Sequence, residues 1–267
     1  MRQRGDVLKK MLYAATAALL LLGGCKGDHG KVTRGGSAEL VLYCGAGIRP
    51  PVDEVIAAFE KQEGVKVVPD YAGSEVLLSK IKVHRRGDLY MPGDKYYVDK
   101  AEEAGMISSR RPVFYWIPTI LVRKGNPKNI SGLVDLQKPG LKVGLGDPNA
   151  CAIGRTADML LSKTGISRES LKENLVYQSL TVNELGVQIQ AGSLDAVIVW
   201  DAMARYYAEY GDQIAIRREQ NVISTVDIGV LKFSKDSELA ERFIAFITSG
   251  AAGEIFAKHG YETKLPE

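Results

Sequence analysis

From residue 39 onward, short apolar runs alternate with stretches in which apolar side chains recur every three or four positions. Residues 39–43 (Glu-Leu-Val-Leu-Tyr) read as a strand, and Pro50-Pro51 then opens a helix in which Val52, Val55, Ile56 and Phe59 keep the helical period up to Gly64. The same alternation predicts strands at 65–68 and 88–91, and helices from Ser74 and over 96–104. Residues 113–122 break the rhythm with one long apolar, aromatic and β-branched run, interrupted only by Pro118 and longer than the usual five or six residues of a strand. A chain leaving one sheet and entering another has this appearance. A short helical segment follows at 131–136. Strands are then predicted at 141–145, 175–178 and 195–200, and helices at 156–163, 183–191 and 202–210. Residues 222–231 form a second long β-type run, and amphipathic helices at 237–248 and 253–259 follow it. Two crossings predict two lobes, one made of 39–117 with 226–267 and the other of 118–225. The fold class is α/β, with two mixed sheets flanked by helices and joined by a two-crossover hinge.

Several strand-to-helix junctions share one form: strand, small-residue break, helix start. They are Cys44-Gly-Ala-Gly47, Tyr71-Ala-Gly-Ser74, the stretch from Gly144 through Gly146-Asp147-Pro148 to a helix restarting at Gly154, and Leu180-Thr-Val-Asn183. The first N–H groups of a helix have no partner inside it, and the helix dipole adds partial positive charge there, so such an end can hold an anion without a charged side chain. In open α/β sheets ligands bind beyond the carboxyl ends of the strands, where all four junctions lie. Two facing lobes would line one cleft with them. Ser74 either caps its helix or donates to a ligand. Arg155 and Arg49 each follow a glycine turn and either grip an anion or lie on solvated surface. Asp147 reads as an Asx-type turn, and Asp201, at a strand end, as a candidate acceptor for a ligand proton.

The amino terminus changes the picture of charge and compartment. Arg2, Arg4, Lys9 and Lys10 precede an apolar run from Met11 to Leu22, the pattern of a signal peptide over residues 1–24. Leu22-Gly23-Gly24-Cys25 looks like a bacterial lipobox, which implies lipidation of Cys25 and a periplasmic or cell-envelope location, with residues 25–38 as a flexible tether. The net charge of +3 is carried entirely by residues 1–24, so the remainder is balanced and gives no support for nucleic-acid binding. Cys44 and Cys151 both lie in glycine-rich turns, where they either pair as a disulfide or stay small buried hydrophobes. The three histidines are scattered and fit no metal-ligand spacing.

Tyr43-Cys-Gly-Ala-Gly-Ile48, Tyr71-Ala-Gly-Ser74, Asp88-Leu-Tyr-Met-Pro-Gly-Asp94 and Gly146-Asp-Pro148, following a lipobox, resemble the molybdate-binding periplasmic proteins of ABC importers from about Glu39 to about Tyr261. The resemblance implies a two-lobed periplasmic binding protein fold that holds a tetrahedral oxyanion, molybdate or tungstate, with neutral donors. It implies no cofactor and no catalysis, ABC permease subunits as partners, a monomer, and membrane contact through the lipid anchor only. By position, the family's donors fall on Ser74, on Ile153 with Gly154 and on Val182. The first pocket serine falls on Gly47, after Ala46, and the pocket tyrosine on Trp200. Glu75 stands where a serine is more common and would oppose a dianion if it faced the cleft. Three alternatives stand beside this reading. One is a binder of sulfate, phosphate or a carboxylate, another a ferric-ion binder using Tyr206-Tyr207, and the third an envelope enzyme using Cys44 or Cys151.

Overall fold

The computed structural model describes residues 39–264, which belong to one compact unit. The signal peptide, Cys25 and the tether lie outside the described residues. The first sheet has the order β2-β1-β3-β10-β4, built from β1 (Glu39–Gly45), β2 (Lys66–Ala72), β3 (Leu89–Met91), β4 (Ile107–Trp116) and β10 (Ser224–Leu231). The second has the order β7-β6-β8-β5-β9, from β5 (Pro118–Arg123), β6 (Val143–Gly146), β7 (Leu175–Ser179), β8 (Ala196–Trp200) and β9 (Gly211–Ala215). The two sheets repeat one plan. Each has three parallel strands, then an antiparallel strand that has just crossed from the other sheet, then an antiparallel edge. β8, Ala-Val-Ile-Val-Trp, is buried along its whole length, as a central strand covered on both faces must be.

The helices are α1 (Arg49–Glu63), α2 (Ser74–His84), α3 (Lys95–Glu103), α4 (Ala152–Lys163), α5 (Val182–Gln190), α6 (Asp201–Tyr206), α7 (Ser237–Ile247) and α8 (Gly250–Lys258). Prolines in the first turn start α1, its Val52, Val55, Ile56 and Phe59 are buried, and Gly64 at φ 67° ends it with an N–H to Glu60 O bond of 2.9 Å. α3 is capped by Asp94 Oδ1, which accepts from Tyr96 N–H at 2.7 Å. α7 returns to the first sheet, burying Phe243 edge-on against Phe59 with ring centroids 5.0 Å apart. Six helices, α1 to α6, begin at the carboxyl ends of β1, β2, β3, β6, β7 and β8, with a single 3₁₀ turn (Ala46–Ile48) leading into α1. That convergence positions the site.

Some elements depart from the sequence reading. The run 113–122 is two strands, because Ile117 breaks it and Pro118, which has no N–H to donate, opens β5. β4 also reaches back to Ile107 through a polar stretch. The helix expected over 202–210 stops at Tyr206, and the segment 131–136 is only a 3₁₀ turn, Leu133–Gln137. β9 carries no apolar run, since in this edge strand only Gly211 is buried.

Candidate functional site

The strand-to-helix turns of the two sheets meet across a narrow cleft, and glycines set how closely. A Cβ added at Gly73 would lie 2.5 Å from Ala150 O and 2.6 Å from Leu180 O, both carried by the second sheet's turns. One at Gly47 would lie 2.5 Å from Val182 Cγ1. Glu75 N–H completes the approach with a 3.1 Å bond to Ala150 O. The turns therefore stand in a closed arrangement, in which the side chain of Val182 takes the space that a serine at Gly47 would need.

Between the turns lies a cavity of about 20 Å³, where a single water takes about 10–15 Å³ on the same measure. Ala46, Gly47, Ser74 and Trp116 border it from one side, and Ala152, Ile153, Val182 and Trp200 from the other. Among the described residues, no Asp, Glu, Lys, Arg or His borders it. Ala152, Ile153 and Val182 are first-turn residues of α4 and α5, so their N–H groups have no partner within the helix, and none is found among the described residues. Tyr261 fixes the first turn by donating its hydroxyl to Gly47 O at 2.7 Å.

Ser74 is 3 % exposed, and its Oγ accepts the Gly93 N–H at 3.0 Å, which leaves its own proton free to donate. It does not cap α2, whose cap position belongs to Gly73. Thr181, also on the cavity wall, has committed its proton to Glu184 Oε1 at 2.8 Å.

Of the remaining residues expected at the site, Glu75, Gly154, Arg155 and Asp201 do not border the cavity. Gly154 lies where α4 passes closest to its own strand, since a Cβ there would be 2.4 Å from Asp147 C. The Arg155 guanidinium lies 3.9 Å over the Tyr96 ring and 3.7 Å from Asp94 Oδ1, so it spans the cleft instead of entering it. Asp201 is buried, pairs with Arg205 through Oδ2, and donates its backbone N–H to Ile117 O at the hinge at 2.9 Å. Burial raises its carboxyl above the ordinary range against the opposing pull of Arg205. Arg49 stacks over Tyr71 at 4.5 Å. Asp147 forms the expected Asx turn, its Oδ1 accepting from Asn149 N–H at 2.8 Å.

Cys44 and Cys151 are both free, which corrects the disulfide alternative. Cys44 lies in β1 with its thiol against Gly45 O, whereas Cys151 precedes α4 with its thiol on Asp147 O and Ser179 O. Burial pushes the Cys151 thiol up to about 11 and Cys44 higher still, so both stay protonated and unreactive at neutral pH. Tyr207 packs closely against Gly186 and Tyr206 is 68 % exposed, an arrangement that serves packing rather than joint coordination of ferric ion.

Trp116 was not foreseen at the site. At the end of a long apolar run an indole reads as core, and only its place just before Ile117-Pro118, at the crossing, hinted otherwise.

Residues 40–262 match the family model described as bacterial extracellular solute-binding protein. A Haemophilus influenzae protein named as a binding protein, with no ligand stated, is 27% identical over 225 residues, covering 84% of this chain and 91% of its own. The molybdate-binding protein ModA of Mycobacterium tuberculosis is 25% identical over 228 residues, covering 85% of each chain. Among solved structures, the sulfate-binding protein SubI of Mycobacterium tuberculosis superposes with a TM-score of 0.75 at 20% identity, covering 86% of this chain and 88% of its own. With the match spanning both sheets, the chain belongs to the bacterial extracellular solute-binding protein family.

Proposed function

We propose that the protein captures a fully ionised tetrahedral oxyanion, molybdate or tungstate, and delivers it to the permease of an ABC importer. The observation that carries this reading is the cavity itself. It is small, closed, bordered by first-turn N–H groups and one free hydroxyl, and free of ionisable side chains apart from the protonated Cys151 thiol. Its volume of about 20 Å³ suits a compact ion and not a sugar phosphate. A donor-rich lining with no carboxylate favours an anion that has lost all its protons over one, such as hydrogen phosphate, whose O–H needs an acceptor. The likeness to a molybdate-binding protein over 85% of both chains supports the choice within that class.

Anchoring through Cys25, after removal of residues 1–24, completes the proposal. It is supported by likeness, at 22% identity over 94% of this chain, to a Bacillus subtilis protein named as an ABC transporter substrate-binding lipoprotein.

Calorimetric titration with molybdate, tungstate, sulfate and phosphate tests the ligand. Heat with molybdate or tungstate and none with phosphate is expected. Heat with sulfate alone would end the molybdate assignment, and heat with phosphate alone would end the argument from ionisation.

A further inference from the structure

We propose that Trp116 gives its indole N–H to the bound anion, making the hinge itself part of the ligand shell. The inference rests on the oxyanion reading and adds to it a donor from neither a glycine-rich turn nor a helix start. Trp116 is the last residue of β4, next to the crossing at Ile117, and borders the cavity while only 1 % exposed. Its Nε1 is buried and has no hydrogen-bond partner among the described residues. An indole nitrogen can only donate, so nothing but an acceptor satisfies it, and a buried donor left without one is costly.

The ring is held firmly. It stacks on Trp200 with centroids 4.8 Å apart and planes 24° apart, meets Phe114 edge-on at 5.3 Å and lies 5.2 Å from Tyr261. A rotation that would turn the N–H toward another partner is therefore blocked by packing on several sides. Of the side chains on the cavity wall, Thr181 has spent its proton on Glu184, and Gly47 supplies no hydroxyl. The orphaned indole takes the place of that missing donor. It also joins the anion to both lobes at their joint, since Trp116 ends a strand of the first sheet and its stacking partner Trp200 ends a strand of the second.

The test compares wild-type protein with Trp116→Phe, which keeps an aromatic ring in the stack and removes the N–H. The wild type is first titrated with molybdate, tungstate, sulfate and phosphate. If it binds none of them, the oxyanion reading fails and the indole loses its acceptor with it. If it binds one, Trp116→Phe is expected to weaken that anion by about ten- to a hundredfold, the value of a hydrogen bond to a charged acceptor. The apo melting temperature is expected to fall, because the smaller ring leaves a void in the stack, so affinity is compared well below the unfolding of either protein. Equal affinity for the anion would overturn the role of Trp116 while leaving the oxyanion reading intact.

A second measurement reads the wild type directly, with a variant used only for assignment. The chain has two tryptophans, both on the cavity wall, so a proton–nitrogen spectrum of the wild type contains only two indole N–H signals. Trp200→Phe assigns them. The Trp116 signal should move downfield on saturation with the anion, and a signal that stays in place overturns the proposal.

Discussion

Ser74 is held by one interaction and leaves another open. Its Oγ accepts the Gly93 N–H from a turn nineteen residues away, while its proton remains for the cavity. Ser74→Ala should therefore lower oxyanion affinity by about ten- to a hundredfold, from the roughly 1.5–3 kcal/mol of a hydrogen bond to a charged acceptor. The same substitution orphans a buried N–H, so apo stability should drop by about 1–3 kcal/mol. Helix capping plays no part in that loss, since Gly73 holds the cap position. Calorimetry well below the melting temperature separates the two effects, and unchanged affinity with lowered stability would make Ser74 purely structural. The serine was legible from its place between a strand and a helix, but its task was not. Local sequence points to the neighbouring N–H groups, whereas the partner that took the hydroxyl comes from β3's turn, which only the sheet order brings alongside. Gly154 was misread for a related reason. Its want of a side chain answers the approach of α4 to Asp147, and Gly154→Ala should destabilise the fold by about 1–3 kcal/mol through overpacking, read as a lower melting temperature.

At the scale of elements, closure depends on how α4 and α5 meet the turns of the first sheet. Gly47→Ser places a Cβ 2.5 Å from Val182 Cγ1, so the extra side chain should harm binding even though it brings a hydroxyl. An overpacking cost of about 1–3 kcal/mol borne by the closed form predicts a loss of roughly five- to a hundredfold in affinity. Val182→Ala in the same chain should restore much of it, and a double-mutant cycle with no coupling would show that the two side chains do not compete for space. Arg155 acts from the other rim, reaching from α4 over Tyr96 and toward Asp94, the cap of α3. Arg155→Ala should raise the dissociation rate and weaken binding by about two- to thirtyfold, from the roughly 0.5–2 kcal/mol of a cation–π contact. Stopped-flow release kinetics would check this, and an unaltered rate would show that the contact does not hold the cleft shut. The alternation of strands and helices, the two crossings and the shared form of the turns were legible because each follows from local periodicity and turn chemistry. β9 was not, because an edge strand reading Gly-Asp-Gln-Ile-Ala is defined by β5 beside it and not by its own composition. Arg155 and Trp116 exchanged the roles that sequence suggests. The charge went to a neighbouring ring, and the apolar residue came to border the cavity with its one polar atom buried and unpartnered among the described residues.

For the whole molecule, a site built from backbone and neutral side chains predicts binding that is indifferent to pH and salt. Asp94 and Asp201 have carboxyls raised by burial above their ordinary 3.8. As pH rises through 3.8 the unfolded chain releases those protons first, so their contribution to stability is greatest below that value and declines until each folded carboxyl has ionised. That decline acts on apo stability and not on the ligand's surroundings, since neither carboxylate borders the cavity. The Cys151 thiol, the one titrating group that does, stays protonated up to about 11. Apo stability is thus free to change with acidity while affinity does not, provided the anion itself is fully ionised. Residues 25–267 carry balanced charge, and no fixed charge faces the ligand, so screening has little to weaken. At a hundredfold excess of ligand over Kd, stabilisation is about 2.7 kcal/mol, a rise of about 5–10 °C in melting temperature for a domain of this size. That rise should stay the same from about pH 6 to pH 9, and affinity should vary by no more than roughly twofold between low and high NaCl. The contrasting case is a site held by Lys or Arg, which loses affinity steeply with salt, or by His, which loses it as pH rises through the neutral range. Thermal melts across that pH range, paired with titrations across the salt range, separate these cases. A ligand-induced rise that shrinks with pH or salt would place a charged side chain at the ligand and remove the ground on which the anion's ionisation was argued.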